Sequence, residues 1–490
     1  MPEAFVHIAQ LNLRFRTKTI LKDLSWNILP GEQWLLSGKS GSGKTVLAKV
    51  IAGLIHASGE VLLNFNKEAP LPAKVMYVAQ WSQFKDKQGG SNFYYQQRYN
   101  SQDAEHSDTV LEVVTAYAKL IHSSPESGAL ILQRFDLWDR RNAPLIQLSS
   151  GEHKKLQLTK ALMLKPQLLI LDNPYTGLDV QSRSNLNELL GHACREGMQL
   201  IMISNDAPEL PFINRYVKLE DGKVISSSVA FKKAHSDGQL RKQIPAFLTL
   251  TPIEAVKELV KLHEVNISYG DKKVLQDVSW TVNRGDKWLL SGHNGSGKST
   301  LLSLLTGDNP QAYAQELYLF EKRRGTGETI WDIKKQIGFI SPELQWYFDP
   351  AATLFQTIAS GFFDTSGLFR SIGKDQAEKV RELLHFFDLE DEAETILKQL
   401  PIGKQRIGLL ARAIIKNPPL LVLDEPCQGL DEEQTDLLNN LVDQLCSADR
   451  TLIYVGHFED RLPTCINQRL TLDHGLAESR KLILEHEFTK

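Results

Sequence analysis

The chain has 490 residues, 42% of them hydrophobic and 23% charged, with 56 basic against 59 acidic side chains and a formal charge of −3. That length carries two or three domains, and the mix is that of a globular protein, not a disordered or fibrous one. The near-balanced charge argues against a broadly polybasic nucleic-acid coat. No run approaches the roughly 20 apolar residues that span a bilayer, and the opening MPEAFVHIAQ lacks the basic flank and apolar stretch of a signal peptide. Cys194, Cys427, Cys446 and Cys465 form no CxxC pair. That argues against an iron–sulfur cluster or structural zinc, and it fits small buried thiols in a reducing cytoplasm.

In chain order, alternating apolar residues from residue 12 run into a glycine-rich turn, Gly38-Lys39-Ser40-Gly41-Ser42-Gly43-Lys44-Thr45. Glycines at this G-x-x-x-x-G-K-[ST] spacing let the backbone fold so that consecutive N–H groups point at phosphate oxygens. The following helix, VLAKVIAGL, adds its unpaired N–H groups and positive dipole end. Lys44 would reach the β- and γ-phosphates, and Thr45 would offer a hydroxyl to Mg²⁺. The apolar run LLILD ends in Asp172, a carboxylate able to hold Mg²⁺ through water. Domains are expected at 4–228 and 261–480, joined by a short linker at 229–260. The stretch PIEAVKELVKL (252–262), at the end of that linker, has the apolar spacing of a helix.

The pattern then repeats. Residues 266–307 lie over 12–53 without a gap, too long a period for a solenoid and the mark of a duplicated domain. The second phosphate loop is Gly292-His293-Asn294-Gly295-Ser296-Gly297-Lys298-Ser299, followed by Thr300, with Lys298 and Ser299 in the roles of Lys44 and Thr45. KWLLSG and PLLVLDE read as buried strands, the latter carrying Asp424, and QAEKVRELLHFFDL reads as a helix. This alternation predicts an α/β core with parallel strands.

Together these motifs resemble the ATP-binding cassette (ABC) ATPases. LSSGE at 148–152 looks like the family signature, and Gly177-Leu178-Asp179 and Gly429-Leu430-Asp431 look like its D-loop. Gln80 sits at the Q-loop and His457 at the switch histidine. Tyr269 sits where an aromatic stacks on adenine, with Phe15 as its equivalent in the first copy. The resemblance implies an α/β fold of two P-loop nucleotide-binding domains in tandem, each with a RecA-like core, an antiparallel β subdomain and a helical signature subdomain. ATP and Mg²⁺ are the implied cofactors, with Thr45, Gln80, Asp172, Ser299 and Asp424 around the metal. It further implies that the halves pair head to tail, so that Ser149 and Gly151 serve the second phosphate loop.

Under that resemblance the copies differ. Glu425 follows Asp424 at the place of the general base for the attacking water, and with His457 and Lys298 it forms the expected catalytic set. Asn173 stands at the place of Glu425, Asn205 at the place of His457, and Pro401 at the place of the signature serine. Pro401 also lacks an N–H. One departure cuts the other way, because Pro342 stands where the first copy has Gln80, with Glu343 adjacent. The expectation is one hydrolytic site and one site that holds ATP.

The segments GDNP (307–310), QAY (311–313) and RRGTGETIWDIKKQIGFIS (323–341) resemble a tandem cassette of the molybdenum-import type. That implies energising of a membrane transporter, with integral permease subunits as partners, no nucleic acid, and a cytoplasmic place that extends to the inner face of the plasma membrane. The alternative is a soluble machine acting on ribosomes or nucleic acid, against which stand the short linker and the missing cysteine clusters. A third reading is a nucleotide sensor with negligible turnover. ATLFQTIASGFFDTSGLF (352–369) is a candidate partner surface or subdomain core, and KDKQGGSNFYYQQRYNSQDAE (85–105) reads as a loop insertion.

Overall fold

A computed structural model describes residues 4–15, 18–39, 41–66, 68, 74–80, 107–204, 210–227, 243–249, 256–270, 272–342, 344, 348–430, 432–446, 450–456 and 461–481. The chain divides into two compact units, one mainly on residues 1–91 and 104–236, the other mainly on 237–428 and 433–490.

The first unit is built on a six-stranded sheet in the order Val75–Val78, Leu168–Asp172, Gln199–Ile203, Trp34–Ser37, Arg215–Glu220, Lys223–Ser227. The first five strands run parallel and the last closes as an antiparallel hairpin. Leu168–Asp172 and Gln199–Ile203 are buried at every position, as strands covered on both faces must be. A three-stranded antiparallel sheet of Lys18–Ile28, Val6–Phe15 and Ser58–Leu63 packs a second apolar layer around Ile8, Leu11, Leu24 and Leu47. Within it Trp26 and Trp34 meet edge to face at 5.2 Å. The helices Val110–Leu120, Pro125–Arg134 and Ser150–Leu164 form a helical subdomain whose Val114, Leu132 and Leu158 join the core on the other side of the sheet.

The second unit repeats the plan. Its six strands follow the order Ile337–Ile340, Leu420–Asp424, Thr451–Val455, Lys287–Ser291, Gln468–Asp473, Leu476–Lys481. Its antiparallel sheet has the order Lys272–Asn283, Glu258–Tyr269, Glu316–Leu319, Lys322–Arg323. Trp280 and Trp288 meet edge to face at 5.5 Å, the counterpart of the first tryptophan pair. The expected strands KWLLSG and PLLVLDE are Lys287–Ser291 and Leu420–Asp424, and the expected helix is Lys374–Phe386.

One expectation fails. ELVKL, the end of the stretch read as helical, is the start of the strand Glu258–Tyr269, paired to Lys272–Asn283 on one side and to Glu316–Leu319 on the other. Leu259, Val260 and Leu262 are all buried because the strand is covered on both faces where it enters the sheet. A doubly buried strand loses its period of two and reads like one face of a helix. Residues 252–255, the start of the same stretch, and the insertion at 85–105 lie outside the described residues. Of the 352–369 phenylalanines, Phe355, Phe362 and Phe363 are half-buried and Phe369 is 72% exposed. Among the described residues no helix is long and apolar enough to cross a membrane.

Candidate functional site

Each phosphate loop leaves the C-terminal end of a parallel strand in mid-sheet and enters an eight-residue helix, Lys44–Ile51 or Lys298–Leu305. This is where open α/β sheets place ligands. Gly38 and Gly292 have φ of 140° and 146°. A Cβ there would lie 2.4 Å from the Leu219 carbonyl oxygen in the first unit and 2.3 Å from that of Leu472 in the second. Gly43 and Gly297, at φ 100° and 107°, turn the chain into the helix. Ser42 N–H donates to the Lys39 carbonyl (3.1 Å) and Ser296 N–H to that of His293 (3.2 Å), so both loops curl alike.

Both lysines turn back over their loops. Lys44 Nζ donates to the carbonyls of Gly38 and Lys39, and Lys298 Nζ to those of Gly292 (2.7 Å) and His293 (2.9 Å). The ammonium is thus held against the first two residues of its own loop. Ser42 Oγ and Ser296 Oγ are buried with no protein partner. A triphosphate fits this donor set, because it supplies oxygens to the serine hydroxyls, the loop N–H groups and the lysine. Ser40 lies outside the described residues; Gly41, Asn294 and Gly295 form the rims of the loops, and Thr300 lies in the first turn of its helix.

Behind the first loop, four side chains converge on the end of the strand Leu168–Asp172. Thr45 Oγ1 donates to Asp172 Oδ2 (2.8 Å), Tyr77 Oη to the same oxygen (3.0 Å), and Asn173 Nδ2 to Gln80 Oε1 (3.3 Å) and Asp172 Oδ1 (3.5 Å). Burial and the Asp172 charge raise the Tyr77 pKa far above its usual value, so the phenol keeps its proton and acts as donor. Lys154 Nζ, fully buried, donates to the Ala79 carbonyl (2.8 Å) and to that of Gln80 (3.4 Å); burial pulls it down to about 7 while the Asp172 charge pulls it up. Thr45, Asp172 and Gln80, an alcohol, a carboxylate and an amide oxygen, are hard donors of the kind Mg²⁺ takes. Tyr77 and Lys154 had no signal in the sequence: each is one polar residue in an apolar or charged run, and only the strand pairing and the helix packing carry it to Asp172.

In the second unit Asp424 ends the strand Leu420–Asp424 and Ser299 lies in the first turn of Lys298–Leu305. Phe339 replaces Tyr77 at the same register on the paired strand. Pro342 is buried and offers no amide, and beside it Ser341 Oγ accepts the Leu344 N–H (3.1 Å). Glu425 and Asn173 occupy the same backbone position. Both have left-handed backbone, φ 44° and 43°, and their N–H groups donate to Val455 and Ile203 on the neighbouring strand. Only the side chain differs, a carboxylate in one unit and an amide in the other. Tyr454 and Cys427 lie nearby, with Cys427 Sγ 3.3 Å from Tyr454 Oη. Burial holds both above their usual pKa, so neither is a base near neutrality.

Ser149 is the N-cap of Ser150–Leu164: its Oγ accepts the Glu152 N–H (3.2 Å) while Glu152 returns a carboxylate to the Ser149 N–H (2.8 Å). Gly151 is buried in the first turn. Pro401, at the same place before Ile402–Ile414, gives no side-chain cap. Lys155 pairs with Asp179 at 3.5 Å. Burial opposes ionisation of Asp179, but Lys155 and the Ser182 amide hold its pKa below the usual range. Tyr269 is 38% exposed and its Oη accepts from Asn309 Nδ2 (3.0 Å), which fixes the ring at the rim of the second unit. His457, Asn205, Glu343 and the side chain of Phe15 lie outside the described residues. A hollow of about 870 Å³ lined by Gly31, Gln33, Asn187, His192 and Phe212 contains none of these residues.

The sequence matches the ABC transporter family over residues 21–176 and again over 275–428. The chain belongs to that family. It is a tandem ABC ATPase, with one cassette in each unit. It is 34% identical over 482 residues to the ABC transporter ATP-binding protein ModF of Escherichia coli K12, covering 94% of this chain and 95% of that one. It is 32% identical over 485 residues to an uncharacterised ABC transporter ATP-binding protein of Schizosaccharomyces pombe, covering 96% and 98%. Among solved structures it is similar to the ADP conformation of an ABC transporter cassette, at 22% identity and TM-score 0.40, covering 46% of this chain and 91% of that one.

Proposed function

We propose that this tandem ATPase hydrolyses ATP at the site built on the second phosphate loop and holds ATP at the first with little or no turnover. The observation that carries the reading is the matched backbone of Glu425 and Asn173, with equal φ and equivalent strand hydrogen bonds. A carboxylate there can take a proton from an attacking water. An amide has no such basicity, and the Asn173 amide is already spent as a donor to Gln80 and Asp172. In the second cassette Lys298 leaves its loop carbonyls to bind phosphate oxygens, Ser299 and Asp424 hold Mg²⁺, and His457 contacts the γ-phosphate. Mg²⁺, when bound, offsets charge on the phosphates. Ser149 and Gly151 add donors to that site in the head-to-tail pairing the family resemblance implies. Tyr269 stacks on the adenine.

The work driven is membrane transport, with integral permease subunits as partners at the inner face of the membrane and molybdate-type import as the cargo reading. The transport reading is supported by the likeness along nearly the whole chain to ModF, an ABC transporter ATP-binding protein, and the cargo reading by the motif resemblance at 307–313 and 323–341. Glu425→Gln should lower kcat by about 10²–10⁴-fold, while Asn173→Gln leaves it within twofold. Equal losses in a steady-state ATPase assay would remove the asymmetry. Purification from membranes should recover an integral membrane protein; ribosomal particles retained in high salt would instead favour a soluble machine.

A further inference from the structure

Beside the second phosphate loop lies a cluster that nucleotide chemistry does not use. His293, at the tip of the loop, faces the hairpin turn between Gln468–Asp473 and Leu476–Lys481. One ligand atom each from His293, Asp473 and His474 fall within 4.8 Å of one another, and all three residues are exposed. His293 Nε2 is 3.4 Å from Asp473 Oδ1, and His474 Nε2 is 3.8 Å from the same oxygen. The two rings lie 4.9 Å apart. At metal–ligand distances near 2.0–2.1 Å, tetrahedral donors stand about 3.3–3.5 Å apart. The first pair already has that spacing, and the second reaches it by a small side-chain rotation.

Two further observations point the same way. His293 Nδ1 lies 2.8 Å from the Asn294 carbonyl oxygen. A carbonyl only accepts, so Nδ1 carries a proton, and in the neutral imidazole this leaves the lone pair on Nε2, the atom facing Asp473. Metal-bound histidines are oriented by this kind of bond on the second ring nitrogen. The hairpin side is also held in advance. His474 and Gly475 are both left-handed, φ 45° and 84°, the geometry of a tight two-residue turn. Gln276 fixes that turn with its N–H on the Gly475 carbonyl (2.8 Å) and its amide on the His474 carbonyl (3.0 Å).

The first unit is an internal comparison. The same turn there is Asp221-Gly222, φ 48° and 73°, after Glu220, and the loop residue is Lys39. The scaffold is shared and both imidazoles are missing.

We propose that His293, Asp473 and His474 form a site for one divalent transition-metal ion of the zinc–nickel class, tying the tip of the second phosphate loop to the sheet hairpin. Two imidazoles and one carboxylate suit that class and select against Mg²⁺, which takes oxygen donors. The site is separate from the one that Ser299 and Asp424 would make. The ion leaves its fourth position to solvent. Because the His293 carbonyl is one of the two that hold Lys298, an ion on the ring restrains the backbone that positions this lysine.

The test is calorimetric titration of Zn²⁺ alone into the full chain, free of nucleotide and Mg²⁺. One site is expected, weakened at least about tenfold by His474→Ala and by Asp473→Asn. His474→Ala should keep the wild-type melting temperature and fluorescent-ATP binding without zinc, so that a lost signal is not lost folding. Substituting Co²⁺ should give an absorption spectrum without thiolate-to-metal charge transfer. No zinc binding, undiminished affinity in the His293→Ala/His474→Ala double variant, or a thiolate band would each overturn the proposal.

Discussion

At the scale of single residues, two kinds of position carry the account. One is set by backbone. Gly292 has a φ of 146° and room for no side chain, because a Cβ would stand 2.3 Å from the Leu472 carbonyl oxygen. Gly292→Ala should cost about 1–3 kcal/mol of local strain and weaken ATP binding at the second site more than tenfold, read by fluorescent-nucleotide titration. Wild-type affinity in that variant would show that the loop tolerates another path. The other kind is set by chemistry on a fixed backbone, as with Glu425 and Asn173. The phosphate loops were legible in the sequence because their function is local: eight consecutive residues make the ring of amides. Tyr77 was not, because its phenol matters only through the pairing of Val75–Val78 with Leu168–Asp172.

At the scale of elements, the strands that end in Asp172 and Asp424 were legible as short apolar runs ending in a carboxylate. The strand Glu258–Tyr269 was not, because burial on both faces erases the alternation that separates strand from helix. The helical subdomain of the second unit is held in part by Lys416, which bonds the Asp364 carboxylate and the Lys334 carbonyl. Burial lowers its pKa from the usual 10.5 to about 8, with Asp364 pulling it back up. Between those values the unfolded chain keeps a proton that the folded chain has released. The lysine's contribution to stability therefore rises with pH across that window and is flat below it. The unfolding free energy of the wild type minus that of Lys416→Met should climb from pH 8 to pH 10 in urea titrations, and a flat difference would contradict it. The signature helices show a second asymmetry, because Ser150–Leu164 has a full capping box and Ile402–Ile414 has none. Such a cap contributes about 0.5–2 kcal/mol. The exchange of Ser149 for Pro401 therefore removes the cap together with its hydroxyl.

At the scale of the whole molecule, duplication explains why so much could be read in advance. The phosphate loop and the strand ending in aspartate occur twice, and a departure in one copy stands out against the other on the same scaffold. What the comparison of copies did not reveal was the His293, Asp473 and His474 cluster, since those residues lie 180 positions apart in the chain and meet only where the loop faces the sheet hairpin. The central claim is that cleavage belongs to the second cassette. It is tested most directly by letting the full chain turn over radiolabelled azido-ATP with Mg²⁺ and vanadate, crosslinking the trapped product, and locating the label by proteolysis and mass spectrometry. The account predicts label on peptides of residues 256–481, around Tyr269; label confined to peptides of residues 4–227 would contradict it.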